Sequence, residues 1–265
     1  MGYGGRQNRG RKRVTDQALI FVVGLTGVGK SSSLEGVHAQ RHITILPNRR
    51  ELTDQIIIPE VQRWDGQPVK AVTDRLERFE YTRRYRERHR GGVVHALTGY
   101  LETTSPSPIS PNPTPPSQLG ETPVLFDNIR GEDEARYAVN TFDNSRFIIL
   151  DAPPLERLKR MATRKDSFDQ VRATRLENDT FIANVQTIPD ADTVFDLYEV
   201  ARLEAAGYDE NALLTGVRII SREQVHYDAR AALRVLEHLP ERRLLYVDTS
   251  ERPLEDVVSL LVEWL

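Results

Sequence analysis

The chain has 265 residues, of which 39% are hydrophobic and 28% are charged, so it is long enough to bury a large core. It contains no cysteine, which excludes disulfides, thiolate catalysis and cysteine-ligated zinc or iron–sulfur sites. No apolar run reaches the roughly 18 residues of a membrane span, and no secretory signal precedes the first strand, so we expect a cytoplasmic protein with no membrane partner.

Basic charge is concentrated in three stretches, although the formal net charge is −3. Residues 1–13 carry five basic side chains and no acid, residues 75–90 carry seven arginines and three glutamates, and residues 157–175 carry seven basic side chains and two aspartates. A base-composition bias of the genome would also explain the overall excess of arginine. Its uneven distribution favours an anionic ligand over a general nucleic-acid coat, because the guanidinium group binds phosphate with a planar fork.

The first half of the chain divides into a tail, an apolar strand and a helical region. Residues 1–13 lack apolar periodicity and are predicted to form a disordered basic tail before a domain that spans residues 14–265. The run at 18–24 is typical of a strand buried on both faces, and it is followed by a helix to about Arg41 and a second strand at 42–46. The remaining predictions here are a helical insertion at 49–102 and a proline-rich loop at 103–118.

The second half alternates between strands and helices. This alternation predicts an α/β fold, in which a central parallel sheet of about five strands lies between helical layers. Ser221 and Gln224 are placed as a capping box for a helix that runs to about Leu239. The predicted strands are 124–126, 147–150 and 244–247; the predicted helices are 132–141, 153–162, 170–186 and 253–265, with a helical insertion at 190–240.

The segment Gly24–Ser31 matches the phosphate-loop pattern G-x-x-x-x-G-K-[ST] at every fixed position, and it lies between a predicted strand and a predicted helix. Lys30 is expected to reach the β- and γ-phosphates, and the Ser31 hydroxyl to bind Mg²⁺. The sequence therefore predicts a site for a nucleoside triphosphate, expected to be ATP. The residues predicted to bind it are Gly24, Thr26, Gly27, Val28, Gly29, Lys30, Ser31 and Ser32.

A phosphate loop alone does not specify a reaction, but further segments do resemble a known group. The chain has no N-K-x-D segment of the kind with which Ras-type GTPases recognise guanine. It resembles the P-loop kinases of the nucleoside monophosphate kinase and dephospho-coenzyme A kinase group over residues 18–60, 122–186 and 244–265. The resemblance implies a three-layer P-loop NTPase fold of the kinase type.

The run Val124–Gly131 resembles the third-strand motif of these kinases, with Asn128 where glycine is usual. The resemblance implies that Asp127 lies near the magnesium ion and the transferred phosphate, as a metal ligand or base, and that Arg130 holds the acceptor's phosphate. Arg49 or Arg50, which follow the second strand, are candidates for the same acceptor-binding role.

Residues 147–175 resemble the fourth strand, helix and lid of the same kinases. A lid at 160–175 is implied, whose arginines fold over the triphosphate and neutralise the phosphoryl group in transfer. Each of these arginines could equally be a solvated surface charge. The implied residues are Arg160 and Arg164 as catalytic groups, with Arg172 and Arg175 contacting the nucleotide.

These observations predict an ATP- and Mg²⁺-dependent phosphotransferase that acts on a small acceptor, expected to carry phosphate and to be a nucleotide or nucleoside. Two alternatives stay open. One is a nucleotide-binding switch without useful turnover, which engages nucleic acid or a protein. The other is a polynucleotide 5′-kinase. The arginines at 83–90 are interpreted as a salt-bridged exposed face, with an acceptor or polynucleotide groove as the alternative.

Overall fold

The structure is a computed structural model that describes residues 18–103, 123–163, 180–227 and 229–265. Five parallel strands form one sheet in the order β2-β3-β1-β4-β5, which confirms the predicted α/β class and parallel sheet. Each predicted strand is present. The bounds are β1 Leu19–Val23, β2 Thr44–Ile45, β3 Val124–Ile129, β4 Arg146–Asp151 and β5 Leu244–Asp248.

Strand β1 is central, and its alternating side chains serve two cores. Leu19, Phe21 and Val23 belong to the larger apolar cluster, whereas Ile20 and Val22 belong to the smaller one on the opposite face. All five residues of β1 are buried, as the apolar run predicts for a strand covered on both faces. The order of the strands therefore places the loop after β1 at the middle of the carboxyl edge of the sheet, where open α/β sheets bind ligands.

Helices cover both faces of the sheet and make the fold three-layered. One face is covered by α1 and α13, and the other by α5, α6 and α12. None of the helices in the described ranges is long and apolar enough to cross a membrane. The bounds are α1 Lys30–Gln40, α5 Gly92–Thr103, α6 Glu132–Thr141, α12 Ala229–Leu236 and α13 Leu254–Trp264.

The helical region after β2 is continuous through Pro59. Helix α2 (Arg49–Leu52) passes into a π-helical turn (Thr53–Ile57) and then into α3 (Ile58–Trp64). Proline has no N–H to donate and its ring crowds the preceding turn, so the wider turn just ahead of it lets the helix continue. Helix α4 (Arg75–Arg88) follows and is capped by Asp74, whose side chain accepts a hydrogen bond from Glu77 N.

Five further helices pack at one end of the sheet around a third apolar cluster. Ser221 and Gln224 lie inside the longest of them, so the predicted capping box is wrong. That helix runs on to His226, and its buried face, which includes Val217 and Ile220, continues through Ser221 to Glu223. The bounds are α7 Pro154–Thr163, α8 Phe181–Gln186, α9 Ala191–Val194, α10 Leu197–Ala205 and α11 Glu210–His226.

Candidate functional site

The predicted phosphate loop connects β1 to α1 and is shaped by glycines. A Cβ atom on Gly24 would lie 2.6 Å from the Leu150 carbonyl oxygen of β4, so only glycine fits there. Gly27 has a φ of 86°, and a Cβ atom at this position would lie 2.9 Å from Arg157 O. Gly29 precedes α1, and no side chain of the described residues caps this end of the helix. The first N–H groups of α1 are therefore suited to an anion.

Lys30 lies at the first position of α1 and is almost fully buried. Its Nζ donates hydrogen bonds to Gly24 O at 2.9 Å and Leu25 O at 2.8 Å, both in the loop. Burial lowers the pKa of Lys30 to about 8, although the nearby carboxylate of Asp127 acts in the opposite direction. The ammonium group therefore stands in the loop at a cost, which an anion beside it would reduce.

Asp127 projects from β3, the neighbour of β1, into the same site. Among the described residues, nothing donates a hydrogen bond to its Oδ1, which is buried. Burial raises the pKa of this carboxyl, and Lys30 and Arg130 oppose the effect. A buried carboxylate oxygen without a hydrogen-bond donor, in the same pocket as Ser31, fits the hard oxygen ligands that Mg²⁺ requires.

The loop opens into a pocket of about 180 Å³ that is strongly cationic. The phosphate-loop residues Gly27, Gly29, Lys30, Ser31 and Ser32 form one side. The opposite side comes from α2, α4 and the end of β3. Among the described residues that line the pocket, six side chains are cationic and one, Asp127, is anionic, so the pocket favours a ligand of high negative charge. The cations are Lys30, Arg49, Arg50, Arg75, Arg78 and Arg130.

Arg49 and Arg50 both line the pocket, but their surroundings differ. Arg49 is buried, and its Nη1 contacts both carboxylate oxygens of Glu134 at 2.8 and 2.7 Å. Its Nη2 donates to the hydroxyl of Tyr227 at 2.6 Å, and its guanidinium carbon lies 5.0 Å from the centre of that ring. Burial acts to lower the pKa of Arg49, but Glu134 and Tyr227 outweigh it and raise the pKa. Arg49 is thus held in place by the fold, whereas Arg50 is exposed.

Arg130 lies just after β3, as predicted, and binds two acids at once. Its backbone N–H donates to Glu134 at 2.7 Å, and its Nη1 lies 2.6 Å from Oε1 of Glu223. Glu223 is a fully buried residue of α11 and also accepts from Arg157. Burial acts to raise the pKa of Glu223, but Arg130, Arg157 and Arg75 lower it to about 2. The carboxylate is therefore ionised over the whole physiological range.

Of the predicted lid arginines, only Arg160 lies within the described residues. It projects from α7 and donates to Thr249 Oγ1 at 2.9 Å and to Thr249 O at 2.7 Å. Its Nη1 lies 3.4 Å from Gly27 O, so it contacts the outside of the phosphate loop. Helix α7 ends at Thr163. Arg164, Arg172 and Arg175 fall in 164–179, outside the described residues.

The basic stretch at 75–90 contributes two arginines to the pocket that were not predicted as site residues. Arg75 and Arg78 line the pocket, on the side of α4 that also buries Phe79. Arg83 and Arg84 lie on the outer side, where Arg83 pairs with Glu80 and Glu87 and Arg84 pairs with Asp65. The salt-bridged face is therefore present, as interpreted for these two residues. Residues 75, 78, 79 and 82 share one helical face, which is the signal that could have separated the two groups.

Three further residues that contact the pocket arginines were not predicted from the sequence: Glu134, Glu223 and Tyr227. Glu223 occupies a position on α11 at which the spacing of Val217 and Ile220 predicts an apolar residue. A charged residue on an apolar helix face requires a buried partner, so this position carried a signal. Glu134 and Tyr227 belong to no motif, and only the tertiary structure brings them to Arg49.

No protein-family model and no curated protein matches the chain. Among solved structures, one that is similar is an unliganded sugar kinase from Janibacter sp. HTCC2649. The two chains are 13% identical, each is covered over 94% of its length, and the TM-score is 0.38. Similarity at this level assigns neither a family nor a reaction to the chain.

Proposed function

We propose that the protein is an ATP- and Mg²⁺-dependent phosphotransferase whose acceptor is a small anionic molecule, expected to carry phosphate and to be of the nucleotide or nucleoside kind. The observation that carries this proposal is the shared pocket: the phosphate loop with Lys30, together with Asp127, lines the same pocket as arginines from other elements. A site that only bound a triphosphate would not need this second set of cations. The resemblance of the Asp127–Arg130 segment to the P-loop kinases supports the same interpretation.

In this proposal the donor occupies the loop side of the pocket. The first N–H groups of α1 and the Lys30 ammonium hold the donor's β- and γ-phosphates. Ser31 and Asp127 would hold Mg²⁺, which supplies charge neutralisation on the donor phosphates. The predicted lid residues Arg164, Arg172 and Arg175 would stabilise the charge of the group in transfer. Arg160 is not given this role, because it contacts Thr249 and Gly27 O and is not among the residues that line the pocket.

The acceptor occupies the arginine side, where Arg50, Arg75, Arg78 and Arg130 line the pocket. Its nucleophilic oxygen forms a bond to the γ-phosphorus while the bond from that phosphorus to the β–γ bridging oxygen breaks, and the diphosphate leaves. Asp127 is also a candidate to take the proton when the acceptor is a hydroxyl group. Catalysis by these residues consists of positioning and electrostatic stabilisation, so no protein nucleophile is required.

The test is ATP consumption with a panel of nucleosides, nucleotides and coenzyme precursors. We expect consumption in proportion to one added acceptor, and its loss in Lys30→Ala. Lys159→Ala is the matched control, because Lys159 is a lysine of α7 that pairs with Glu156 at the surface at 2.6 Å. Slow hydrolysis that no acceptor accelerates would refute the proposal in favour of a switch. An oligonucleotide as the productive acceptor, with steep loss of affinity in salt, would replace it with a polynucleotide kinase.

The arginine side is tested with Arg50→Ala. Arg50 is an exposed pocket residue, so its removal is expected to leave the fold intact and raise the KM for the acceptor about 10- to 100-fold. Arg83→Ala is the control, since Arg83 pairs with glutamates on the outer side of α4. An unchanged acceptor KM in Arg50→Ala would place the acceptor elsewhere.

A further inference from the structure

Thr26, the third residue of the phosphate loop, is contacted by side chains from four separate elements. Its N–H donates to Oε2 of Glu223 at 2.9 Å, and its hydroxyl donates to Oε1 of the same carboxylate at 2.8 Å. Its carbonyl oxygen accepts from Nε of Arg157 at 2.7 Å. The hydroxyl also accepts from Nη2 of Arg75 at 2.7 Å, and Nη2 of Arg130 lies 3.5 Å away. Every polar group of Thr26 is therefore engaged from outside the loop.

The centre of this arrangement is the carboxylate of Glu223, which is fully buried. One of its oxygens lies 2.6 Å from Nη1 of Arg130, and the other contacts Arg157. A buried carboxylate without partners would be very costly, so the cations on both sides make this position possible. Helix α11 therefore contacts the loop through the carboxylate of Glu223. Removing this carboxylate would leave the buried guanidinium groups of Arg130 and Arg157 without their acidic partner.

A loop that contains Gly24, Gly27 and Gly29 loses much conformational freedom when it is ordered around a phosphate. Fixing Thr26 in advance removes part of that loss before the nucleotide arrives, and preorganisation of this kind increases affinity. Arg75 and Arg130 line the pocket and also contact the Thr26 hydroxyl. The same contacts therefore join the donor side of the site to the arginine side.

We propose that Glu223 is a positioning residue: it preorganises the phosphate loop by holding Thr26, and it keeps Arg75 and Arg130 in register with the loop. The inference rests on the proposed function only for the acceptor role of Arg130. The part that concerns the loop requires only that a triphosphate binds.

The test compares Glu223→Gln with Glu80→Gln. Glu80 is a matched control because, like Glu223, it is a helix glutamate that pairs with an arginine of another element, here Arg222 of α11. Glu80 is partly exposed, and its ion pairs are with Arg83 and Arg222 rather than with the loop. Titration with a Mg²⁺ complex of a non-hydrolysable ATP analogue is expected to show about a tenfold or greater increase in Kd for Glu223→Gln and no change for Glu80→Gln. Hydrogen exchange at the amides of residues 24–29 is expected to accelerate in Glu223→Gln alone.

Thr26→Val is the second variant, and it retains the buried charge. It is expected to raise the Kd of the analogue less than Glu223→Gln does, and the double variant to bind no more weakly than Glu223→Gln alone, because Glu223 acts through Thr26. If Glu223→Gln fails to fold, faster loop exchange in Thr26→Val still supports the proposal. The proposal would be overturned if the folded Glu223→Gln protein had the same loop exchange rates and the same Kd as the wild type. If Glu223→Gln does not fold, the same result in Thr26→Val would overturn the proposal. Absence of phosphotransfer with normal analogue binding would refute the proposed function alone.

Discussion

Replacing Lys30 by methionine is expected to remove nucleotide binding and at the same time to stabilise the free protein. Lys30 is buried in the loop, and its pKa is lowered from 10.5 to about 8 because burial disfavours the charged form. This depression corresponds to about 3 kcal/mol of unfavourable free energy at pH values below about 8. Methionine fills a similar volume without a charge, and so it avoids this cost.

The stabilisation of Lys30→Met is reduced because the variant cannot make two hydrogen bonds of the wild type. Lys30 donates to the carbonyl oxygens of Gly24 and Leu25. Each lost bond costs about 1 kcal/mol, so the net stabilisation of Lys30→Met at about pH 7 is about 1 to 2 kcal/mol. A site that binds an anion thus carries a stability cost when the anion is absent, as functional sites often do.

The pH dependence separates this explanation from an effect of packing. Because the pKa of Lys30 is lower in the folded than in the unfolded chain, the unfolded chain binds more protons between pH 8 and pH 10.5. Wild-type stability therefore rises through this window relative to the variant. The unfavourable free energy of the buried Lys30 charge decreases by about 2 kcal/mol between about pH 7 and about pH 9.5. This decrease cancels the higher stability of Lys30→Met relative to the wild type.

The assay is urea-induced unfolding of the nucleotide-free proteins at the two pH values, with Lys159→Met as the control. Lys159 is a surface lysine whose ammonium group donates a hydrogen bond to Glu156, and this bond raises its pKa. Its removal is expected to change stability by less than about 0.5 kcal/mol at either pH. A Lys30→Met protein that is less stable than wild type by the same amount at both pH values would refute the reasoning.

Three further results are expected. Lysine has a single nitrogen, so Arg49→Lys cannot keep both the contact of Nη1 with Glu134 and the hydrogen bond of Nη2 to Tyr227, and unfolding in urea should show a loss of about 2 to 4 kcal/mol; a loss below about 1 kcal/mol would contradict the buried cluster. Asp127→Asn should weaken analogue binding about tenfold or more with Mg²⁺ but not in EDTA, and wild-type Mg²⁺-dependent binding should weaken as the pH falls towards the raised pKa of Asp127; equal losses with and without metal would exclude it as a ligand. Gly36→Ala places a Cβ atom 2.5 Å from a methyl of the facing helix and should destabilise by about 1 to 3 kcal/mol, whereas Gly99→Ala meets nothing within 4 Å and should stabilise by about 0.5 to 1 kcal/mol in thermal unfolding; the same sign for both would refute the packing argument.

Local patterns in the sequence were sufficient for most of the sheet and its helices. The apolar run at 18–24 and the glycine that ends it predicted β1, and the structure places this strand at Leu19–Val23. The predicted helix at 132–141 coincides with α6. These elements are set by the periodicity and capping of neighbouring residues, which can be read along the chain. The capping box at Ser221 failed because a cap pattern also occurs inside a helix when the apolar face continues through it.

The sequence predicted the loop of the candidate site, but it predicted few of the residues that surround the loop. Gly24, Lys30 and Ser31 are fixed by a short motif whose spacing follows from one turn between a strand and a helix. Arg75 is 49 residues away from Thr26 along the chain, and Glu223 is 197 residues away, yet both contact it. The helix faces on which the two residues lie indicate that both are buried, but nothing in the sequence identifies Thr26 as their partner.

The sequence by itself determined the order of strands and helices, the parallel sheet and the glycine-rich loop after β1, because each follows from patterns that span a few neighbouring residues. Only the tertiary structure decided which of the 31 arginines face the pocket and which lie at the surface, and that Glu134 and Glu223 are their partners. The physical reason is that a guanidinium group has the same chemistry wherever it stands in a sequence. Its role depends on burial and on counter-charges that packing brings from distant parts of the chain.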